Sequence, residues 1–342
     1  MPINLYFMKK ILVAAVLFCS SFFVANAQFE TNEQNAFSFR HLDFGISAGT
    51  TGLGFDLALP FHEQFRVRAG FSFIPKFNKK INFGVERIND DNKDIERIND
   101  DNKDNLLLTN FDSMADKLSD LTGLKIKDNI DMLGSPNFYN GNLLVDFYPI
   151  KKCAFRITAG FYWGGSKVAS AQNSIDDMST PLVVTMYNNF YKKFENYEPL
   201  FGDPEVGDDF YLEPPVEDEI RDLLMSFGRL GFYVGDKVSD GTHYIMEPDE
   251  NGTVKVNVFV NSFKPYLGTG YGGNLRKNGS TKLEFDAGVL FWGGTPEVIV
   301  HDGTDLAKDL VNVRGKVGRY VNFIKGIKVY PVVNLRLSFR LF

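Results

Sequence analysis

One feature constrains this chain more than any other: eight short runs in which every second residue is apolar, at 42–48, 53–59, 65–73, 139–147, 155–163, 263–271, 283–291 and 329–339. A period of two belongs to a strand whose two faces meet different surroundings. The apolar rows of the eight runs hold 39 positions and no charge, although 23% of the chain is charged. About nine charges would fall there if parity meant nothing. The opposite rows carry Asp43, Asp56, Arg66, Arg68, Asp146, Arg156, Lys264, Lys282, Glu284, Asp286, Lys328, Arg336 and Arg340.

Alternation alone fits two architectures. A soluble sandwich buries its apolar rows, and a membrane barrel turns them outward to lipid. Three further features favour the barrel. Connections alternate between short turns and long loops, the long ones at about 77–136, 168–258 and 295–326, as in barrels with tight periplasmic turns and large outer loops. Aromatic residues mark both ends of the apolar rows. Phe65, Phe147, Phe155, Tyr271 and Phe339 stand on the turn side, and Phe73, Tyr139, Trp163, Phe263 and Phe291 on the loop side. Two such girdles suit two water–lipid interfaces. The last run reaches almost to Phe342. The expectation is an all-β fold: a transmembrane antiparallel up-and-down β-barrel of eight strands over 39–342, with three long extracellular loops containing short helices.

The N-terminus reads as an export signal. Lys9 and Lys10 precede an apolar run from Ile11 to Val24, and Ala25-Asn26-Ala27 supplies a small-x-small cleavage site. Residues 1–27 are expected to be removed, leaving 28–38 as a periplasmic segment. The removed part holds two lysines and no acid, so 37 basic residues become 35 against 43 acidic ones. That balance argues against nucleic acid as a partner. Of two cysteines only Cys153 remains, which excludes an intrachain disulfide. Beyond the signal no segment reaches 18 apolar residues, so a membrane could be crossed only by strands. The mean hydropathy of −0.16 then averages an uncharged face, a charged face and polar loops.

On these residues the chain resembles small outer-membrane β-barrel proteins of Gram-negative bacteria. The resemblance is carried by the export signal, the Gly49-Thr50-Thr51-Gly52-Leu53-Gly54 hairpin, the stretch Lys264-Pro265-Tyr266-Leu267-Gly268-Thr269-Gly270-Tyr271-Gly272, and Tyr330-Pro331-Val332-Val333-Asn334-Leu335 leading to the terminal Phe. It implies outer-membrane lipid and lipopolysaccharide as surroundings and the barrel-assembly machinery as a partner during biogenesis. These motifs specify a lineage and no activity. Arg340 departs from the family's terminal pattern, which places an aromatic two residues before the last.

Eight strands enclose a space that side chains just fill. Asp43, Asp56, Arg66, Arg68, Asp146, Arg156, Lys264, Glu284, Asp286 and Arg336 are therefore expected to pair inside the barrel. The lipid-interface aromatics assigned on the outside are Phe73, Tyr139, Phe147, Phe155, Trp163, Phe263, Tyr271, Phe291 and Phe339. Pro265 and Pro331 each remove a ladder hydrogen bond and are expected at bulges near the rim.

The loops carry the remaining signals. Val85 to Asp94 recurs as Ile95 to Asp104, changed only at its first residue. The repeat lacks the glycine and distal glutamate of an EF-hand, so it reads as a duplication in a solvated loop rather than a calcium site. Helices are expected at 106–121, at 216–227 beyond an acidic stretch, and from a Thr304-Asp305 cap to about Lys325. Strands rising above the membrane are expected at 231–234, 244–246 and 253–260. None of the four histidines, His41, His62, His243 and His301, has a serine two or three residues on, so the local signature of a lipid-A-modifying enzyme is missing. The sequence thus points to a non-enzymatic barrel without cofactor or metal. Its loops would bind a protein partner or support the envelope. The alternatives are a narrow pore and a lipid-A-modifying enzyme.

Overall fold

A computed structural model describes residues 41–84, 86–88, 129–150, 153–174, 178–196, 221, 228–276, 279–313 and 315–341. The export signal, the segment 28–38, the helix at 106–121, and all but a few residues of the duplicated decapeptide and of the helix at 216–227 lie outside them.

Eight strands close into one antiparallel barrel: β1 (Asp43–Gly49), β2 (Gly52–His62), β3 (Phe65–Phe73), β7 (Tyr139–Phe147), β8 (Arg156–Gly164), β13 (Phe263–Asn274), β14 (Thr281–Leu290) and β17 (Tyr330–Arg340). Each pairs with the next along the chain, and β17 returns to β1 with Phe44 opposite Phe339. All eight alternating runs therefore become barrel strands. Parity sets their faces: Leu53, Phe55 and Leu57 of β2 are exposed on the outside, while Asp56 and Ala58 of the opposite row are buried. No bulge accompanies the two prolines. Pro265 stays in register with Phe161 and Pro331 with Val289. Both lie within the first three residues of their strands, where one missing N–H costs the ladder little.

The long connections fold rather than trail. Beyond the barrel stand β4 (Lys79–Gly84), β6 (Asn129–Pro136), β9 (Lys167–Asn173), β12 (Lys255–Phe259) and β15 (Glu297–Val300), which form a five-stranded sheet ordered β15-β12-β9-β6-β4. Each abuts a barrel strand in sequence: β3 leads to β4, β6 to β7, β8 to β9, β12 to β13 and β14 to β15. The sheet order repeats the barrel order, so five consecutive staves of the barrel wall continue past a short break. On the other three staves the wall stops at the Thr50-Thr51 turn and the start of β17. A second sheet contains β10 (Arg229–Lys237), β11 (His243–Met246) and β16 (Leu310–Val311), with β5 (Glu86–Ile88) also on β10.

Two helices complete the loop end. α1 (Ser179–Glu195) begins with Pro181 in its first turn, where the missing N–H is harmless, and carries Lys192 and Lys193 in its last, where cations meet free carbonyls. It docks on β10 through polar atoms: Asn188 donates to the Leu230 carbonyl at 2.7 Å and accepts from its N–H at 3.0 Å, and the Tyr187 hydroxyl donates to the Gly228 carbonyl at 2.7 Å. α2 (Gly315–Gly326) is shorter than the helix expected from residue 304. Asp305 accepts the N–H groups of Val298 and Ala307, holding 304–309 in turns. Leu310 and Val311 then pair with β10, and Asn312 adopts a φ of 53°. α2 fills the seam left by the open sheet. Lys316 donates to the Asn82 carbonyl on β4, Tyr320 packs edge-on against Phe83 at 6.3 Å, and just past the helix the Ile327 carbonyl accepts from Trp292 Nε1 beyond β14 at 3.0 Å.

A hydrophobic core of its own lies within this surface domain. Ile130, Met132, Val184, Leu230, Val234, Val254, Val298, Leu306 and Leu310 are among its buried members, drawn from all three long connections.

Candidate functional site

Two places concentrate chemistry: the barrel lumen and a cleft in the surface domain. In the lumen the inward residues of β2, β3, β7, β8, β14 and β17 bring four guanidinium groups against four carboxylates. Arg66 reaches Asp146 at 2.7 Å and Glu284 at 2.9 Å, and Arg68 reaches Asp146 at 2.9 Å and Asp286 at 3.0 Å. Arg156 binds Asp286 at 2.8 Å and Glu284 at 3.2 Å, and Arg336 binds Asp56 at 2.5 Å and also Glu284. All eight are buried. Each arginine donates to carboxylates on at least one other strand, so the network works as cross-bracing. Room for it comes from missing side chains. A Cβ on Gly270 would lie 2.6 Å from Arg156 Cζ, and one on Gly45 would meet the Arg336 guanidinium.

The two other residues assigned to the interior stand apart. Asp43 pairs with Lys282 at 3.1 Å near the turn end. Lys264 is 0% exposed, yet its amine meets no carboxylate among the described residues. It donates instead to Asn140 Oδ1 at 2.9 Å and to the carbonyls of Ser262 at 3.2 Å and Gly165 at 3.3 Å. It thereby ties β7 and β13 together where β8 passes into β9. Lys328 precedes β17 and is exposed.

Above the charges the lumen turns apolar. Phe138, Leu144, Tyr162, Tyr266, Leu290 and Val332 pack into one buried layer. Tyr330 stacks on Phe138 at 5.3 Å and donates from its hydroxyl to the Thr50 carbonyl at 2.5 Å. Between the layers remains a cavity of about 30 Å³, bordered by Asp56, Arg68, Tyr162, Tyr266, Asp286 and Arg336.

Outside, Phe73, Tyr139, Trp163, Phe263 and Phe291 are exposed at the loop end of adjacent staves, with Phe73 in register with Tyr139 and Phe263 with Trp163. At the turn end Phe147 stacks on Phe65 at 5.0 Å, Tyr271 faces Phe285, and Phe339 faces Phe44. Phe155 precedes β8 by one residue.

The cleft lies in the surface domain, where α1, β10, β11 and the turn after β15 meet. It encloses about 330 Å³ and brings Lys192, Arg229, Lys237, His243, His301 and Tyr244 together with Glu247 and Asp302. Glu247 pairs with Arg229 and stands 4.0 Å from Lys192. Burial pushes its carboxyl above the usual range, and the two cations oppose that shift. The Tyr244 phenol is raised by burial and by its 2.8 Å bond to Asp302, so it remains a donor. His243 Nδ1 is 2.8 Å from Asp236 Oδ1. His243 and His301 are 58 positions apart in sequence, and parity carried no signal that they share a cleft. Among the described residues no group of His, Cys, Asp or Glu is arranged to hold a metal ion, and no helix is long and apolar enough to cross a membrane.

No protein-family model matches the chain, and no curated protein is similar to it in sequence. Among solved structures it is similar to CarO2 of Acinetobacter baumannii, at 13% identity and a TM-score of 0.35, covering 88% of this chain and 98% of that one. CarO of the same organism follows at 12% identity and a TM-score of 0.34, covering 87% of this chain and 97% of that one. A major outer membrane protein from Thermus thermophilus shows 12% identity and a TM-score of 0.25, covering 88% of this chain and 99% of that one.

Proposed function

We propose that the protein is a non-conducting outer-membrane barrel of a Gram-negative bacterium, whose lumen is braced shut and whose loop-end domain is a binding surface displayed outside the cell. The observation that carries this reading is the division of labour between the two halves. Four arginines and four carboxylates fill the lumen with one mutually paired network beneath a buried apolar layer, while the three long connections build a domain with its own core and cleft. On this reading envelope lipid and lipopolysaccharide contact the uncharged outward row, and the barrel-assembly machinery inserts the chain.

The test is electrical. The purified protein in a planar bilayer should give no stepwise current, while its heat-modifiable migration in detergent gels reports an assembled barrel. Steady single-channel conductance from the intact protein would overturn the proposal.

A further inference from the structure

The cleft has a lopsided hydrogen-bond inventory. Its two carboxylates already face partners: Glu247 forms an ion pair with Arg229, and Asp302 accepts from the Tyr244 hydroxyl and the Thr304 N–H. Its donors are in surplus. Lys192 leaves 53% of its side chain exposed, and Lys237 is exposed and makes no ion pair among the described residues. His301 accepts the Lys255 N–H on Nδ1 at 3.5 Å. That assignment puts the ring proton of the neutral imidazole on Nε2. A hollow with exposed cationic donors suits an acceptor-rich guest, because an anion gains charge-assisted bonds there. Size narrows the class. A volume of about 330 Å³ lies at the lower end of small-molecule sites and far above what one inorganic ion fills. Ile245, Pro248 and the Tyr244 ring add apolar wall.

We propose that this cleft binds a small organic oxyanion, a phosphate or carboxylate of monosaccharide size, through Lys192, Lys237 and His301. The inference rests on the surface domain being a binding unit and names the chemistry of its ligand.

The experiment is calorimetric titration of the full chain in detergent micelles with glucose 6-phosphate, glucuronate, inorganic phosphate and glucose. The two sugar anions should bind with one-to-one stoichiometry, inorganic phosphate about tenfold more weakly, and glucose not at all. The double variant Lys192→Gln/Lys237→Gln should weaken the sugar anions by at least about tenfold. Lys328→Gln, outside the cleft, should leave them unchanged. Both cleft lysines are solvent-facing, so unaltered heat-modifiable migration and protease resistance will show that the variant is folded. Glucose binding as well as its phosphate, no binding of either sugar anion, or indifference to the double variant would each overturn the proposal. Conductance by the intact barrel would instead overturn the proposed function. A silent barrel that binds no anion removes the cleft ligand alone.

Discussion

The barrel and the surface domain are built from the same staves and are inside out with respect to each other. Along β6 and β7, two residues separate a strand whose Ile130 and Met132 are buried in an apolar core from one whose Asn140 and Asp146 are buried in a polar lumen. In the barrel, guanidinium–carboxylate pairs occupy the centre and leucine and phenylalanine face outward. In the surface domain, valine and leucine occupy the centre and lysine and aspartate face outward. Strand geometry is common to both, so the inversion reflects the solvent each half is written for. Lipid makes the outside the apolar phase, and the inside is then free to hold charges, provided that they pair. Water reverses the arrangement.

That contrast can be broken most forcefully at Glu284, which holds Arg66, Arg156 and Arg336 at once. Glu284→Ala should destabilise the barrel by about 3–5 kcal/mol, the cost of leaving buried charge without its partner. Urea titration in vesicles, read by gel migration, will measure it, and a loss under about 1 kcal/mol would mean the lumen is wetter than the ion-pair geometry implies. The complementary change is Leu230→Ala in the surface core, where Leu230 is 2% exposed. It should cost about 2–4 kcal/mol locally, opening the loop end to protease while the barrel still resists heat. If the barrel melts with it, the two halves are one cooperative unit.

Smaller effects sharpen the comparison. Gly270→Val must displace the Arg156 guanidinium, 2.6 Å from the new Cβ, and should cost about 1–3 kcal/mol. The mildest test uses the two tryptophans. Trp163 is 68% exposed on the outward face and Trp292 is 7% exposed at the loop end. Trp163→Phe should barely change stability, yet it should abolish fluorescence quenching by brominated lipid. Equal quenching of Trp292 would place the membrane boundary higher than the aromatic ring.

The barrel was legible in the sequence because its physics is local: a two-residue period survives whatever the distant partners are. All eight strands follow from parity, and the inward placement of Arg66, Arg68, Arg156 and Arg336 follows once the loop lengths and the two aromatic girdles turn the apolar rows outward. The partners do not follow, since Arg66 and Glu284 are 218 positions apart and nothing local selects Glu284 over Asp286. Pro265 and Pro331 were expected at bulges, but near strand starts the ladder tolerates a missing N–H. In the loops the period-2 signal fragments into strands of two to nine residues, and only β10, β11 and β12 left readable traces. α1 was missed because its docking face holds Thr185 and Asn188, polar residues that satisfy backbone groups of the opposing chain. The cleft was hidden for the same reason as the ion pairs, being assembled from two connections that meet only after folding.

The continuation of five barrel staves into the surface sheet decides how this protein can be taken apart. Every strand of that sheet enters from a different stave, so excising the domain yields three unlinked peptides that share one core. A soluble fragment or a single transplanted loop would carry sequence without shape. A raised antibody or a grafted binding face would therefore need the whole barrel as its scaffold, and a chimera would have to exchange all three long connections together, with α2 in the seam.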